Sequence, residues 1–189
     1  MPTLDLNKLR DTILANQRDA ETLPVSQQKK VVVDREGRIA VGPQSTSLAG
    51  PVTEVPQDTF HTTPSHALLE ARQYLPPTTR LDIIDGFEVF TYSVETSLGI
   101  KFVLAAYFDG SNYQVQLVEP ELENEWKSPH RAHIFSSDGR LCLSNSHGGG
   151  QPTLRRAFAK SVVWAEGVAA MLAGSPVFPY SINNEDDPS

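Results

Sequence analysis

Residues 87–118 read FEVFTYSVETSLGIKFVLAAYFDGSNYQVQLV and contain three β-rich runs separated by two short turns. The turns, Ser97-Leu98-Gly99 and Asp109-Gly110-Ser111-Asn112, are rich in residues that favour chain reversal. The runs either alternate in polarity or are continuously apolar, as strands do. Connections this short join antiparallel neighbours. The stretch therefore predicts an antiparallel meander, and Leu81–Ile84 is predicted to add a strand at its start.

A helix is predicted on each side of this meander. Pro64-Ser65 precedes the segment HALLEARQYL, which Pro76-Pro77 ends because proline cannot continue the hydrogen-bond ladder. Leu68, Leu69, Ala71 and Leu75 are predicted to lie on or near one face of this helix. A long helix begins at Leu154 and ends before Gly174 and Pro176. Helices segregated from an antiparallel sheet indicate an α+β fold.

The remaining sequence suggests an extension and a tail. We divide the chain into an N-terminal extension (1–62), a compact domain (63–182) and an acidic tail (183–189). Within the extension, residues 5–17 have the spacing of a short amphipathic helix, and residues 29–42 have the pattern of a hairpin. Residues 43–64 are rich in Pro, Ser and Thr, which predicts a linker or a surface arm.

Composition and charge exclude several classes of function. The formal net charge is −7 and no run of Lys and Arg is present, so a nucleic-acid partner is not expected. The N-terminus lacks a basic start followed by an apolar block, and nowhere do 18 apolar residues run together. We therefore expect no secretory signal and no membrane partner. The single cysteine cannot form an internal disulfide, which suits a cytoplasmic protein.

Residues 126–150, WKSPHRAHIFSSDGRLCLSNSHGGG, concentrate the reactive side chains; we call them the flap. The only cysteine, Cys142, and three of the five histidines lie within positions 130–147. Ser136-Ser137-Asp138-Gly139 predicts a turn, followed by a short extended stretch that contains the cysteine. Leu141 and Leu143 share one face of that stretch, so burying both would point Cys142 outward. An outward thiol would face His130, His133 and His147.

The flap resembles the active-site segment of ubiquitin-conjugating enzymes. In that family a His-Pro-Asn group is followed by a turn whose Gly stands three positions before a Cys-Leu pair. Here Gly139 precedes Cys142 by three positions and Leu143 follows. The order of helix, meander, cysteine-bearing flap and long C-terminal helix is also similar over about residues 64–180. The segment from Trp164 to Pro179 resembles divergent prokaryotic members, found in bacterial ubiquitin-like conjugation and antiphage operons.

The resemblance implies a transferase of ubiquitin-like proteins, without cofactor or metal. Cys142 would accept the C-terminal glycine of a modifier as a thioester from an activating (adenylating) enzyme and pass it to an amine on a target. The His-Pro-Asn group is not intact, because Ala132-His133-Ile134 stands in its place. We expect His133 to replace the family's Asn as a hydrogen-bond donor. His130, His147 and Asn145 are further candidates for oxyanion or loop support.

Other classes of function stay open on the residues alone. His130, His133, Cys142 and His147 could together bind zinc. A Cys–His hydrolase fits less well, since such enzymes usually place the cysteine at a helix N-terminus and the histidine far downstream. The same fold could also serve as a non-catalytic scaffold. The run Gly148-Gly149-Gly150 could admit a modifier tail or be a plain flexible loop.

Overall fold

The computed structural model describes residues 4–15, 21–22, 29–33, 39–41, 52–55, 65–145 and 147–180. Its helices are α1 (Leu6–Ala15), α2 (His66–Tyr74) and α3 (Leu154–Leu172). Its strands are β1 (Glu21–Thr22), β2 (Lys29–Val33), β3 (Ile39–Val41), β4 (Val52–Val55), β5 (Arg80–Ile84), β6 (Phe87–Glu95), β7 (Lys101–Phe108) and β8 (Tyr113–Glu119). A 3-10 turn spans His147–Gly149. The chain is α+β, as predicted.

The predicted meander is confirmed. Strands β5 to β8 pair with their sequence neighbours in antiparallel register, and β1 adds to the β5 edge to give the order β1-β5-β6-β7-β8. Thr91 lies opposite Ala105, which in turn lies opposite Gln116. The register between β7 and β8 shifts once, between Val103 and Leu104. In this order β8 is an edge strand, and the flap follows it in the chain.

One face of the sheet carries the main hydrophobic core. Helices α2 and α3 pack there, and the ring of Phe102 meets that of Trp164 edge-on at 5.5 Å between centroids. Helix α3 is buried on nearly every side because it also contacts α2 and β2. Its Glu166 carboxylate accepts hydrogen bonds from the backbone amide and the hydroxyl of Ser97, both at 2.8 Å. This pair ties the helix to the β6–β7 turn.

The second face of the sheet is covered by α1. Leu9 and Ile13 are fully buried against Val89, Ala105 and other apolar residues of the strands. The guanidinium Nε of Arg10 donates to the Val118 carbonyl oxygen at 2.8 Å, which secures the helix to β8. The N-terminal extension therefore contributes to the same sheet. Because both faces are covered, the alternating Gln114 and Gln116 of β8 are buried rather than solvent-facing.

The N-terminal extension matches the predictions in part. Helix α1 confirms the predicted helix over 5–17, and β2 pairs antiparallel with β3 as the predicted hairpin. Within residues 43–64, predicted as a linker or a surface arm, Val52–Val55 forms β4, which pairs with β2 in a separate sheet of order β3-β2-β4. Val-Thr-Glu-Val is rich in β-branched residues, which favour a strand despite the surrounding prolines. The predicted acidic tail, 183–189, lies outside the described residues.

The helices that flank the meander begin and end close to the predicted positions. Ser65 caps α2 by accepting a hydrogen bond from the Leu68 amide at 3.1 Å, and Thr153 caps α3. Of the residues predicted on or near one face of α2, Leu69 is 48% exposed, whereas Ala71 and Leu75 are buried together with Ala67. Helix α3 is an uninterrupted 19-residue helix. Among the described helices, none is long and apolar enough to traverse a bilayer.

Candidate functional site

The flap lies along the outer edge of β8. The backbone amide of Leu141 donates to the Val115 carbonyl oxygen at 2.8 Å, and Arg140 forms an isolated bridge with Gln116. A second bridge joins Leu141 to Ile134 within the flap itself. The short extended stretch predicted after the turn at 136–139 is therefore present. It is held on one side by the sheet and on the other by the flap's own returning chain.

The side chains around the cysteine alternate as the sequence predicts. Leu141 and Leu143 are both fully buried in the main core, whereas Cys142 between them is partly exposed. Two leucines on one face of an extended chain anchor it, and the side chain between them must point the other way. The protein thus holds its only thiol at the surface of a rigid segment.

The thiol itself is not electrostatically activated. Its Sγ lies 3.6 Å from the Ser144 carbonyl oxygen, to which it donates a weak hydrogen bond. Partial burial raises the pKa of Cys142 above its ordinary value, and the contact with Ser144 opposes that rise only in part. Among the described side chains, no cation lowers the pKa of this thiol. The thiol is therefore mostly protonated near neutral pH.

His133 adjoins Cys142 through the backbone. The Cys142 amide donates to the His133 carbonyl oxygen at 2.7 Å, and the indole Nε1 of Trp164 donates to the Ala132 carbonyl oxygen, also at 2.7 Å. His133 has a φ of 49°, a left-handed conformation that histidine adopts more readily than bulkier residues. These two hydrogen bonds hold the strained residue in place.

The imidazole of His133 is half-buried. Its ring meets the ring of Phe178 edge-on, with 4.8 Å between centroids and an interplanar angle of 68°. Burial lowers the pKa of His133 below its ordinary value, and the charge of nearby His130 lowers it further. The side chain is therefore mainly neutral at pH 7, with one ring N–H as a donor and one ring nitrogen as an acceptor.

The other predicted site residues are placed less closely. His130 is exposed, and its backbone amide contacts the Ser128 hydroxyl at 3.3 Å. Asn145 is exposed three positions after the cysteine. His147 begins the 3-10 turn, and its side chain lies outside what the structure describes. Of the predicted set, the structure joins only His133 directly to Cys142, within the residues it describes.

The glycine run after the cysteine is packed at two of its three positions. Gly149 has a φ of +86°, and a Cβ there would lie 2.7 Å from the Phe135 ring. A Cβ on Gly150 would lie 2.6 Å from Nε2 of Gln114. The Gly149 carbonyl oxygen accepts a hydrogen bond from the Leu143 amide at 2.8 Å. These glycines let the chain pass close behind the cysteine stretch, whereas Gly148 has open space around it.

A zinc site was the main alternative interpretation of the histidine cluster. No three His, Cys, Asp or Glu side chains in the described part of the chain are grouped to hold a metal ion. His147, one of the four predicted ligands, has no described side chain. The described geometry is therefore that of a partly exposed thiol whose backbone is hydrogen-bonded to that of a half-buried, mainly neutral histidine.

Sequence reasoning missed Phe178 as a neighbour of His133. Phe178 lies 45 positions after His133 in the sequence, and the whole of α3 stands between Phe178 and the flap. Two sequence features accompany it: Pro179, which follows it directly, and the small residue Gly167 in α3, which it covers. Neither signal specifies a contact across the fold.

Comparison with protein-family models, with curated proteins and with solved structures finds no match for this chain. Its function is therefore inferred from the site's own chemistry, together with the similarity of the flap to one family's motif.

Proposed function

We propose that this protein is a ubiquitin-conjugating-type transferase that carries the C-terminal glycine of a ubiquitin-like protein as a thioester on Cys142. The order of α2, the meander, the flap and α3 is consistent with the ubiquitin-conjugating-enzyme arrangement. The family resemblance extends the proposal to an activating enzyme as donor, a target amine as acceptor and a bacterial antiphage conjugation pathway.

The observation that carries this proposal is the presentation of the thiol. Cys142 is partly exposed between two fully buried leucines, on a stretch that is hydrogen-bonded to β8. A cysteine that served only the core would be buried with its neighbours. A thiol that must take up a large acyl group has to be reachable while its backbone stays fixed. Both requirements are met at this position.

The chemistry consists of two acyl transfers at one sulfur. The Cys142 sulfur attacks the thioester carbonyl carbon on the activating enzyme, a new C–S bond forms, and the old C–S bond breaks. The proton of Cys142 ends on the departing thiol. A target amine then attacks the same carbonyl carbon, a C–N bond forms, the C–S bond to Cys142 breaks, and one amine proton ends on the released Cys142 thiol. No net oxidation or reduction occurs, and no cofactor takes part.

The raised pKa of Cys142 is compatible with this role. A hydrolase of the Cys–His type lowers its thiol pKa with an adjacent imidazolium, which the described residues do not provide here. A thiolate of higher pKa is scarcer at neutral pH but intrinsically more nucleophilic. Because the incoming acyl group is already an activated thioester, this scarcity is tolerable. The electrostatics thus favour exchange between thioesters over attack on a peptide bond.

His133 is the proposed donor to the tetrahedral oxyanion, in place of the family's Asn. It is neutral near pH 7 and keeps one ring N–H, and its backbone is hydrogen-bonded to that of Cys142. A pre-positioned donor of this kind is worth about 2.7–4 kcal/mol of transition-state stabilisation. His130, Asn145 and His147 remain candidates for supporting the loop or the oxyanion.

A trapping experiment tests the proposal. Tagged Cys142→Lys protein, expressed in the source cells, is expected to accumulate an isopeptide adduct whose branch on residue 142 ends in glycine, detected by mass spectrometry. The matched control is a Cys142→Ala, Ser137→Lys double variant, which moves the lysine to an exposed position on the same flap. An adduct on both proteins, or on neither, contradicts the proposal.

The same preparations separate the alternatives. One equivalent of zinc in the purified wild-type protein, lost in Cys142→Ala, would assign the cysteine to a metal site. A wild-type protein that retains a ubiquitin-like partner without any band sensitive to reducing agent would be a non-catalytic scaffold. Under the transferase proposal, the partner forms a reducible adduct that disappears with Cys142→Ala.

A further inference from the structure

The chain turns back on itself after α3. Gly174, with a φ of +108°, reverses the direction, and the Ser175 amide donates to the Ala170 carbonyl oxygen at 3.0 Å. The Ser175 hydroxyl then donates to the Val177 carbonyl oxygen at 2.8 Å. We call residues 175–180 the C-terminal segment. These contacts fold the C-terminal segment back against α3, the helix that precedes it.

Phe178 of the C-terminal segment sits directly on Gly167 of α3. A Cβ on Gly167 would lie 2.2 Å from the phenyl ring, far inside contact distance. Glycine lowers the stability of a helix interior, so its presence in the middle of α3 asks for a reason. The reason here is steric, because only glycine leaves room for the ring.

The same ring also meets the flap. The His133 imidazole contacts Phe178 edge-on with 4.8 Å between centroids, and the Tyr180 ring meets Phe178 with 6.3 Å between centroids. The His133 carbonyl oxygen in turn accepts a hydrogen bond from the Cys142 amide. A continuous set of contacts therefore runs from Gly167 through Phe178 and His133 to Cys142.

We propose that Phe178 is a positioning residue, which holds the His133 imidazole in one orientation beside the cysteine stretch. This rests on the proposed function, since the orientation matters only if His133 assists a reaction at Cys142. The backbone of His133 is held by hydrogen bonds, and the edge-on contact with a ring seated on Gly167 restricts the torsions of its side chain.

The surroundings of His133 support this role. Phe178 packs against its ring and His130 lies close enough to affect its charge, while the Cys142 amide and the Trp164 indole hold the carbonyl oxygens of His133 and Ala132. Burial is the largest cause of its lowered pKa. Because the phenyl ring contributes to that burial, removing the ring should both free the imidazole and let water reach it.

The test compares Phe178→Ala with Val177→Ala, using full-length protein. Val177 is 66% exposed and precedes Phe178, so its truncation shortens the same segment without touching the flap. The first readout is the pH titration of the His133 ring by NMR, assigned with His133→Gln. We expect Phe178→Ala to raise the pKa of His133 toward its ordinary value, while Val177→Ala leaves the titration unchanged.

The second readout is the rate at which iodoacetamide alkylates Cys142. We expect Phe178→Ala to change this rate by about 2- to 12-fold, the factor that corresponds to losing one aromatic pair. His133→Ala should change it in the same direction, and the double variant should add nothing further. Additive effects, no effect, or equal effects of Val177→Ala and Phe178→Ala overturn the proposal.

These readouts need no modifier or activating enzyme. If trapping with the Cys142→Lys protein fails while the two substitutions behave as expected, Phe178 still orients His133 but the proposed transferase function falls. If trapping succeeds and the titration of His133 ignores Phe178, the reverse holds. Gly167→Ala offers a second variant, since its added methyl group should displace the ring and reproduce the effects of Phe178→Ala.

Discussion

The Cys142 amide donates to the His133 carbonyl oxygen at 2.7 Å. This hydrogen bond joins the backbone of the protein's only cysteine to that of the histidine predicted to assist it. Nine positions separate the two residues along the chain. The turn at 136–139 brings them together, and Trp164 fixes the preceding carbonyl from α3. Anything that loosens this link should alter both stability and thiol chemistry.

Leu141 is the buried anchor of the cysteine stretch, so Leu141→Ala should lower the free energy of unfolding by about 2–5 kcal/mol. This loss is the sum of the transfer free energy of the removed side-chain carbon atoms and the cost of the cavity that they leave. Urea denaturation monitored by tryptophan fluorescence measures it. Leu98→Ala is the control, because Leu98 is 55% exposed and its loss should stay within about 0.5 kcal/mol. Similar losses in both variants would contradict the anchoring role.

The rate of Cys142 alkylation should be low at neutral pH and should increase only when the pH exceeds the ordinary pKa of a thiol. Because burial raises the pKa of Cys142, the inflection in the iodoacetamide rate should lie above about 8.5, the unperturbed value. The protein has no other cysteine, so the signal is unambiguous. The same chain in denaturant supplies the reference and should inflect at the ordinary value. An inflection in the native protein at or below that reference would contradict the placement of the thiol.

The lowered pKa of His133 predicts acid sensitivity. Below its ordinary pKa of about 6.5, the unfolded chain binds a proton at this residue more readily than the folded chain does. Stability should therefore fall as the pH drops from that value through the lower folded-state pKa, with a slope under about 1.4 kcal/mol per pH unit.

Substitution of His133 checks this source of acid sensitivity. Urea unfolding between pH 5 and about 7.5 should show a shallower decline for His133→Gln than for the wild type, because the substituted side chain does not titrate in this range. His66→Gln, at an exposed histidine on α2, is the matched control and should follow the wild-type curve. Parallel curves for wild type and His133→Gln would rule out His133 as the source.

Gly149 and Gly148 form a matched pair for testing the packing behind the cysteine. Both have positive φ, so alanine at either position should cost about 1–2 kcal/mol for the left-handed backbone. Only at Gly149 would the added Cβ lie 2.7 Å from the Phe135 ring, so its alanine variant should lose about 1–3 kcal/mol more from overpacking. Chemical denaturation of the two variants measures the difference. Equal losses would mean that the ring can move aside freely.

Much of the fold follows from local patterns. The turns at 97–99 and 109–112, the Pro64-Ser65 start and the proline pair at 76–77 predict where β6 to β8 and α2 begin and end, and Gly174 with Pro176 predicts the end of α3. Such signals act through neighbouring residues, so they can be read from the chain alone. The strand at Val52–Val55 was obscured because the prolines and serines around it favoured a linker.

The candidate site divides in the same way. The burial of Leu141 and Leu143 with Cys142 left accessible follows from strand alternation, a property of three consecutive residues. The left-handed conformation of His133, the contact with Phe178 and the seat on Gly167 do not, because they join segments that are distant along the chain.

By itself, the sequence determined the order of elements from α2 to α3, the meander between them and the position of the one thiol on a short extended stretch. Only the tertiary structure decided that α1 covers the second face of the sheet and that Phe178 meets His133. The physical reason is that hydrogen bonding and side-chain alternation are local, whereas packing depends on which surfaces the whole chain brings within contact distance.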